Sequence, residues 1–160
     1  MRYSQMISID VMTPKHFDDV TKLKVNPDQI PFVGTTKEII EKINDQVIGH
    51  VIYENSILVG CFLLDKSYSR DYDFALKGAL GLRAYLVDHK QQGKGIGTRA
   101  VQVIPSFVTS HYPEFSSIFL TVNCKNPAAK KCYESGGFVE TESLYHGGAA
   151  GPQYVMKFVF

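Results

Sequence analysis

The sequence has 160 residues, of which 44% are hydrophobic and 21% are charged, and its formal net charge at pH 7 is +1. This length predicts a single domain, residues 1–160, built around one hydrophobic core. A net charge so close to zero argues against the strong positive field of proteins that bind nucleic acid or an anionic membrane surface.

No part of the chain has the composition of a targeting or membrane-spanning segment. The first residues lack the long apolar core of a signal peptide, and no run approaches the roughly 18 apolar residues of a membrane span. The three cysteines, Cys61, Cys124 and Cys132, lack metal-ligand spacing and predict free thiols in a reducing cytoplasm. The five histidines are scattered, so no zinc site is predicted.

Hydrophobic periodicity predicts the elements of the first half of the chain. A strand is expected over 6–12 and helices over 14–24 and 35–45, with a loop over 25–34 between the helices. Thr36 is expected to cap the second helix. Two apolar runs flank Asn55 and Ser56 and predict a β-hairpin, and residues 68–79 are expected to be irregular.

The second half continues the alternation of strands and helices. Strands are predicted over 80–87, 116–122, 137–145 and 154–160. A helix should follow Gly97 and kink or stop at Pro105. A short helix is predicted over 126–135, with Pro127 in its first turn. The order of elements indicates a mixed α/β domain.

Three glycines stand at every second position before the predicted helix, at Gly93, Gly95 and Gly97. They are consistent with a simple turn or with a phosphate-binding loop, since glycine lets the backbone approach an anion and the helix offers unpaired N–H groups. The spacing excludes a dinucleotide fingerprint, because Thr98 stands where glycine is needed. It also excludes a Walker-type loop, because no lysine separates Gly97 from Thr98.

The segment 92–97, QGKGIG, fits the pattern Q/R-x-x-G-x-G/A and resembles the pyrophosphate loop of the GCN5-related N-acetyltransferase (GNAT) family. A second block, NPAAKKCYESGGF (126–138), resembles that family's second motif. Its Asn126, Ala129 and Tyr133 fall on one helix face. The resemblance extends over nearly the whole chain.

The resemblance implies a mainly antiparallel sheet of about seven strands, splayed between strands 4 and 5 and flanked by about four helices. It implies acetyl-CoA as the cosubstrate and no metal. The cofactor-binding residues that it implies are the pantetheine contacts Tyr85, Leu86, Val87 and Asn126, and the pyrophosphate-loop residues Gln92, Gly93, Lys94, Gly95, Ile96, Gly97 and Thr98.

By its place in the second motif, Tyr133 resembles the family's general acid; the alternative is a buried tyrosine with a satisfied hydroxyl. Some polyamine acetyltransferases of the family carry an acid nine positions before the first residue of the loop, where this chain has Arg83. Glu54 and Asp65 are other candidates for the base, although such acids are usually only solvated. No base is assigned.

The loop over 26–35 resembles the acceptor-site loop of bacterial enzymes related to spermine/spermidine acetyltransferases, which makes Gln29 and Phe32 candidate substrate contacts; Phe32 could equally fill the core. Asp71 and Asp73 would favour a cationic amine, and Arg83 an acceptor with a carboxylate. The expected acceptor is a small primary amine, a polyamine first. The alternatives are a protein N-terminus, as in the ribosomal-protein branch, or regulatory binding of acetyl-CoA without turnover. A homodimer is left open.

Overall fold

The computed structural model describes residues 6–91 and 93–160 of the chain. Seven strands form one sheet in the order β1-β2-β3-β4-β5-β7-β6, and every neighbouring pair is antiparallel except β4 and β5. The strands are β1 (Ile7–Val11), β2 (Val47–Glu54), β3 (Ile57–Asp65), β4 (Ala79–Val87), β5 (Ser117–Asn123), β6 (Val139–Tyr145) and β7 (Gln153–Val159). The predicted fold class and strand number are confirmed.

Six α-helices accompany the sheet within the described residues: α1 (Phe17–Thr21), α2 (Ile30–Val33), α3 (Thr36–Glu41), α4 (Tyr68–Asp71), α5 (Ile96–His111) and α6 (Pro127–Ser135). Short 3₁₀ turns lie at Pro14–His16, Pro27–Gln29 and His89–Gln91. None of these helices is both long and apolar enough to cross a bilayer. The cysteines are free thiols, as predicted.

Several local predictions were wrong in whole or in part. Residues 68–79 are not irregular throughout, since Tyr68–Asp71 form helix α4. The segment predicted as a loop contains the 3₁₀ turn at 27–29 and helix α2. The cap of α3 is Thr35 rather than Thr36, because the Thr35 hydroxyl accepts the Glu38 N–H at 3.2 Å. Of the two alternatives expected at Pro105, a kink or a stop, the stop is wrong, because helix α5 runs on to His111. Burial of an apolar face of α5 on both sides of Pro105 outweighs the backbone hydrogen bond that proline removes.

Helices cover both faces of the sheet. On one face, α5 buries Val101, Ile104 and Val108 against strand residues that include Phe62 and Leu80. On the other face, α1 and α3 contribute residues to a second core, which consists of Met12, Val20, Leu23, Ile39, Val47, Val51, Cys61, Leu63 and Leu86. The two layers fix β4 between them, which positions the site described below.

Strands β4 and β5 diverge, as predicted. They pair at three positions only, which end at Gly81 opposite Phe119, whereas β4 stays paired with β3 up to Val87 opposite Gly60. The register of β3 and β4 shifts between Cys61 and Leu63, and Ala84 there has a positive φ of 53°. This bulge increases the local twist of β4 where it leaves β5. A cleft opens between the two strands.

Candidate active site

A cavity of about 780 Å³ occupies the cleft between β4 and β5. Its walls come from the 27–33 segment, β4, the loop before α5, α6 and the loop before β7. Thirteen of the residues predicted for the site line it: Gln29, Phe32, Arg83, Tyr85, Leu86, Val87, Gly93, Gly95, Ile96, Gly97, Thr98, Asn126 and Tyr133. Lys94 is not part of the lining, and Gln92 lies outside the described residues.

The conformation of the loop before α5 explains two of its three glycines. Gly93 and Gly95 have φ angles of +85° and +74°, which side-chain-bearing residues rarely adopt. A Cβ atom at either position would meet no protein atom within 4 Å. Gly97 lies in the first turn of α5, where a Cβ would make ordinary contact with Cys132 Sγ at 3.7 Å. The left-handed backbone therefore requires glycine at 93 and 95, whereas Gly97 has room for a Cβ.

The N-terminus of α5 faces the cavity with free donors. Gly95 is the N-cap and supplies no side chain, and the first helical hydrogen bond runs from the Arg99 N–H to the Gly95 carbonyl oxygen at 3.0 Å. The N–H groups of Ile96, Gly97 and Thr98 have no acceptor among the described residues. Together with the positive end of the helix dipole, these groups form a site suited to an anion.

Two contacts brace this loop against the sheet. The Tyr85 hydroxyl donates to the Gly97 carbonyl oxygen at 2.7 Å. Arg99 Nη2 donates to Glu54 Oε2 at 2.6 Å and to the Lys94 carbonyl oxygen at 3.4 Å. Glu54, a candidate base in the sequence, is thus held in an ion pair and is not part of the cavity wall.

Tyr133 lies on α6 with its ring packed edge-on against Tyr85, at 5.9 Å between ring centroids, and against Phe138 at 6.1 Å. Its hydroxyl has no hydrogen-bond partner among the described residues. Burial, and secondarily the neighbouring Cys132, raise the pKa of Tyr133 above its usual value. Tyr133 therefore stays protonated at neutral pH and can act as a proton donor.

Asn126 connects two walls of the cavity. It is the N-cap of α6, where its Oδ1 accepts the Ala129 N–H at 3.4 Å. Its Nδ2 donates to Gln29 Oε1 at 3.1 Å. Asn126, Ala129 and Tyr133 all line the cavity, which agrees with their predicted common helix face.

Arg83 lines the cavity, and an ion pair with Asp65 holds its guanidinium in place. Its Nη1 lies 3.0 Å from Asp65 Oδ2, and Asp65 is only 2% exposed. The other carboxylate oxygen of Asp65 accepts hydrogen bonds from the Ser67 N–H at 2.9 Å and the Ser67 hydroxyl at 2.8 Å. Asp65 is therefore committed to these partners and cannot serve as the base.

The sequence analysis missed several residues of the cavity wall. All but one come from segments that carry no recognised motif: Lys42, Tyr72, Thr121, Asn123, Tyr145, Gln153 and the glycine-rich loop at 148–150. The exception, Cys132, lies in the second motif but was predicted only to be a free thiol. Asp71 and Asp73 are absent from the wall; Asp71 instead accepts a hydrogen bond from the Ser67 hydroxyl. Among the described residues, no aspartate, glutamate or histidine lines the cavity.

The sequence matches a family and a curated relative. The model described as Acetyltransferase (GNAT) family matches residues 16–138. The chain is 30% identical over 146 residues to the "Uncharacterized N-acetyltransferase YbbJ" of Bacillus subtilis (strain 168), a match that covers 86% of this chain and 88% of the relative. Both similarities extend over most of the chain.

The fold matches solved structures of low sequence identity. An aminoglycoside acetyltransferase in complex with coenzyme A superposes with a TM-score of 0.79 at 18% identity, over 96% of this chain and 95% of the other. The spermidine N-acetyltransferase from Vibrio cholerae, solved with CoA and spermine, gives a TM-score of 0.70 at 17% identity, over 96% and 95% of the two chains. At these identities the similarity is one of fold.

Proposed function

Because this chain belongs to the acetyltransferase (GNAT) family, we propose that it transfers the acetyl group of acetyl-CoA to the primary amine of a small molecule. The observation that carries the proposal is the joint occurrence, in one cavity, of three N–H groups at a helix N-terminus and a tyrosine hydroxyl, none of which has a partner among the described residues. The first suits an anion and the second can protonate a leaving group.

In this proposal the N–H groups of residues 96–98, with the loop from Gly93, bind the pyrophosphate of acetyl-CoA. The pantetheine arm follows the backbone of β4 from Tyr85 to Val87, where β5 has diverged, and its amides take the place of a neighbouring strand. Asn126 lies on the opposite wall, where its amide can exchange the bond to Gln29 for one to pantetheine. The acetyl end then lies near Tyr133.

The reaction needs no group beyond these residues, the two substrates and water. The neutral amine attacks the thioester carbonyl carbon, so that a C–N bond forms and the C–S bond then breaks. Tyr133 gives its proton to the departing CoA thiolate and recovers one from solvent. Since no carboxylate or imidazole lines the described wall, we assign the amine's proton to water.

The charges of the cavity wall argue against a polyamine, which the sequence analysis placed first among the acceptors. A polyamine is a polycation, and the charged side chains in the described wall, Lys42 and Arg83, are both cationic. Repulsion from these groups disfavours a polyamine relative to amines of lower positive charge. We therefore keep a small primary amine as the proposed acceptor and give polyamines no preference.

A thiol-release assay tests the proposal. The protein is incubated with acetyl-CoA and a panel of amino acids, monoamines, polyamines and short peptides, and free CoA thiol and acetylated product are measured. Amine-dependent thiol release with a small molecule is the expected result. If only peptides are acetylated, the protein modifies protein N-termini. If calorimetry shows binding of acetyl-CoA while no amine is acetylated, the chain is a binding module.

A further inference from the structure

The charged side chains of the cavity wall restrict the acceptor. Apart from Arg83 and Lys42, no lysine, arginine, aspartate or glutamate contributes to the wall formed by the described residues. A second amine or ammonium group on the acceptor would find no carboxylate there. A carboxylate on the acceptor would find two cations.

Arg83 is held ready for such a group. Of its donors, Nη1 is bound to Asp65, whereas Nε and Nη2 have no partner among the described residues. The side chain of Arg83 is 32% exposed, and that of Asp65 is 2% exposed. Asp65 therefore fixes the guanidinium, and the two donors that have no partner among the described residues remain available to a ligand in the cavity that Arg83 lines. A guanidinium fixed in this way can bind a carboxylate through two directed hydrogen bonds.

Asp65 also offsets part of the positive charge of Arg83. Selection of an anion would therefore rest on the directed hydrogen bonds from Arg83 more than on long-range attraction, with Lys42 adding a second positive charge. The ion pair thus serves to position the guanidinium.

Arg83 is also close along the chain to the proposed reaction centre. It lies two residues before Tyr85 on β4, with the bulge residue Ala84 between them, and both Arg83 and Tyr85 line the cavity. Tyr85 packs against Tyr133, the proposed proton donor. Arg83 and Tyr133 line the same cavity, so one acceptor can place its amine near Tyr133 and its acid group at Arg83. The edge-on pair Tyr72 and Tyr145, 5.5 Å apart, provides an aromatic surface beside them for an apolar side chain.

We propose that the acceptor is an amine that carries a carboxylate, of the amino-acid or short-peptide class, and that Arg83 binds the carboxylate. This inference rests on the proposed function and specifies its substrate class. Arg83 is in this view the residue that determines specificity.

Matched pairs of acceptors test whether the protein recognises a carboxylate on the acceptor. Each amino acid or dipeptide is compared with its carboxamide, which keeps the amine and the side chain and removes the negative charge, and polyamines form a third arm. Because amidation also lowers the pKa of the amine, rates are compared at equal concentrations of neutral amine. We expect kcat/KM for the acid to exceed that for the amide by about 10- to 100-fold, as for loss of a hydrogen bond to a charged group. Comparison of the free amino acids with the dipeptides identifies the source of the carboxylate.

Two variants test whether Arg83 causes the preference for the acid over the amide. Arg83→Gln should bring the acid-to-amide ratio close to one. Because it leaves Asp65 buried and unpaired, the double variant Arg83→Gln/Asp65→Asn provides the same test without that charge. Arg70→Gln is the control, since the Arg70 side chain is 76% exposed and lies outside the cavity wall; it should keep the ratio of the wild type.

The outcomes separate this inference from the function on which it rests. Turnover of amides or polyamines at rates equal to or above those of the acids would overturn the inference and leave the acetyltransferase proposal standing. An unchanged ratio in both Arg83 variants would overturn it as well. Acetyl-CoA binding with no turnover of any amine would overturn the proposed function, and the inference with it.

Discussion

The hydroxyl of Tyr85 donates a hydrogen bond to the carbonyl oxygen of Gly97 at 2.7 Å, and it thereby ties the diverging end of β4 to the first turn of α5. The two elements supply the proposed pantetheine and pyrophosphate contacts of acetyl-CoA. Burial raises the pKa of Tyr85 well above its usual value, so the hydroxyl keeps its proton. One side chain thus sets the distance between the two halves of the proposed cofactor site.

Tyr85→Phe should loosen this connection. The ring keeps its packing against Tyr133, but the Gly97 carbonyl loses its donor, at a cost of about 1 kcal/mol in the free energy of unfolding. We expect several-fold weaker binding of CoA by calorimetry. Tyr53→Phe is the control, because the Tyr53 hydroxyl has no hydrogen-bond partner among the described residues and lies outside the cavity wall. Equal CoA affinity in both variants would show that the bond does not shape the site.

Gly95→Ala tests the loop as an anion site. Alanine at a φ of +74° costs about 1–2 kcal/mol in stability, and its methyl group, which meets no protein atom within 4 Å, would stand where the phosphate approaches. CoA affinity should therefore fall. Gly34→Ala is the control: it also places alanine at a positive φ, +79° with a ψ of −174°, so it costs at least as much stability, but Gly34 lies outside the cavity wall and the variant should keep its CoA affinity. If Gly95→Ala binds CoA as tightly as Gly34→Ala does, the loop is merely a turn.

Tyr133→Phe removes the proposed proton donor and leaves the ring contacts with Tyr85 and Phe138 in place. We expect kcat to fall by about 10²–10⁴-fold, with little change in acetyl-CoA affinity. Parallel loss of kcat and kcat/KM would mark an interaction made in the transition state. Single-turnover kinetics ensure that chemistry is the step observed. Turnover within a few-fold of the wild type under those conditions would make water the donor.

The pH dependence of the rate tests whether a protein side chain acts as the base, since none was found in the described part of the cavity wall. The tyrosine at the proposed reaction centre has a raised pKa and does not titrate near neutrality. Log kcat/KM should therefore rise with unit slope up to the pKa of the acceptor amine itself. Two acceptors of different amine pKa should give two correspondingly displaced profiles. A common plateau near pH 6 to 7 for both acceptors would instead reveal a protein base.

A buried histidine makes stability depend on pH. His50 on β2 is fully buried, stacks on Phe62 at 4.9 Å and lies 2.8 Å from the Tyr112 hydroxyl through Nε2. Burial, helped by the charge of nearby His111, lowers the pKa of His50 from 6.5 to about 3. Between these values the unfolded chain binds a proton that the native chain does not, so stability falls as the pH falls.

Denaturant unfolding between pH 7 and pH 4 measures this loss, which should approach roughly 1.4 kcal/mol per pH unit below the unfolded pKa of this residue. His50→Phe/Tyr112→Phe replaces both partners of the buried hydrogen bond and should flatten the dependence. His111→Gln is the matched control: His111 lies on the exposed end of α5, and its removal should leave most of the slope. An unchanged slope in the double variant would assign the acid sensitivity to other groups.

The sequence by itself determined most of the elements and the two short motifs. The signals that led to a correct strand, hairpin or helix act over only a few residues. They are the alternation of apolar residues, the turn residues at 55–56 and Pro127 at a helix start. The spacing of Gly93, Gly95 and Gly97, and that of Asn126 and Tyr133, likewise fixes local backbone and a shared helix face. These predictions succeeded because their physics is short-range.

The tertiary structure alone decided which side chains are available for chemistry. Glu54 and Asp65 were candidate bases in the sequence, and each is paired with an arginine from another element. Asn126 is bonded to Gln29, 97 positions away. Whether a charged side chain is available for chemistry depends on its neighbours in space. Those neighbours come together only when strands pair and helices pack over them. The charge of the cavity wall is for the same reason a property of the fold.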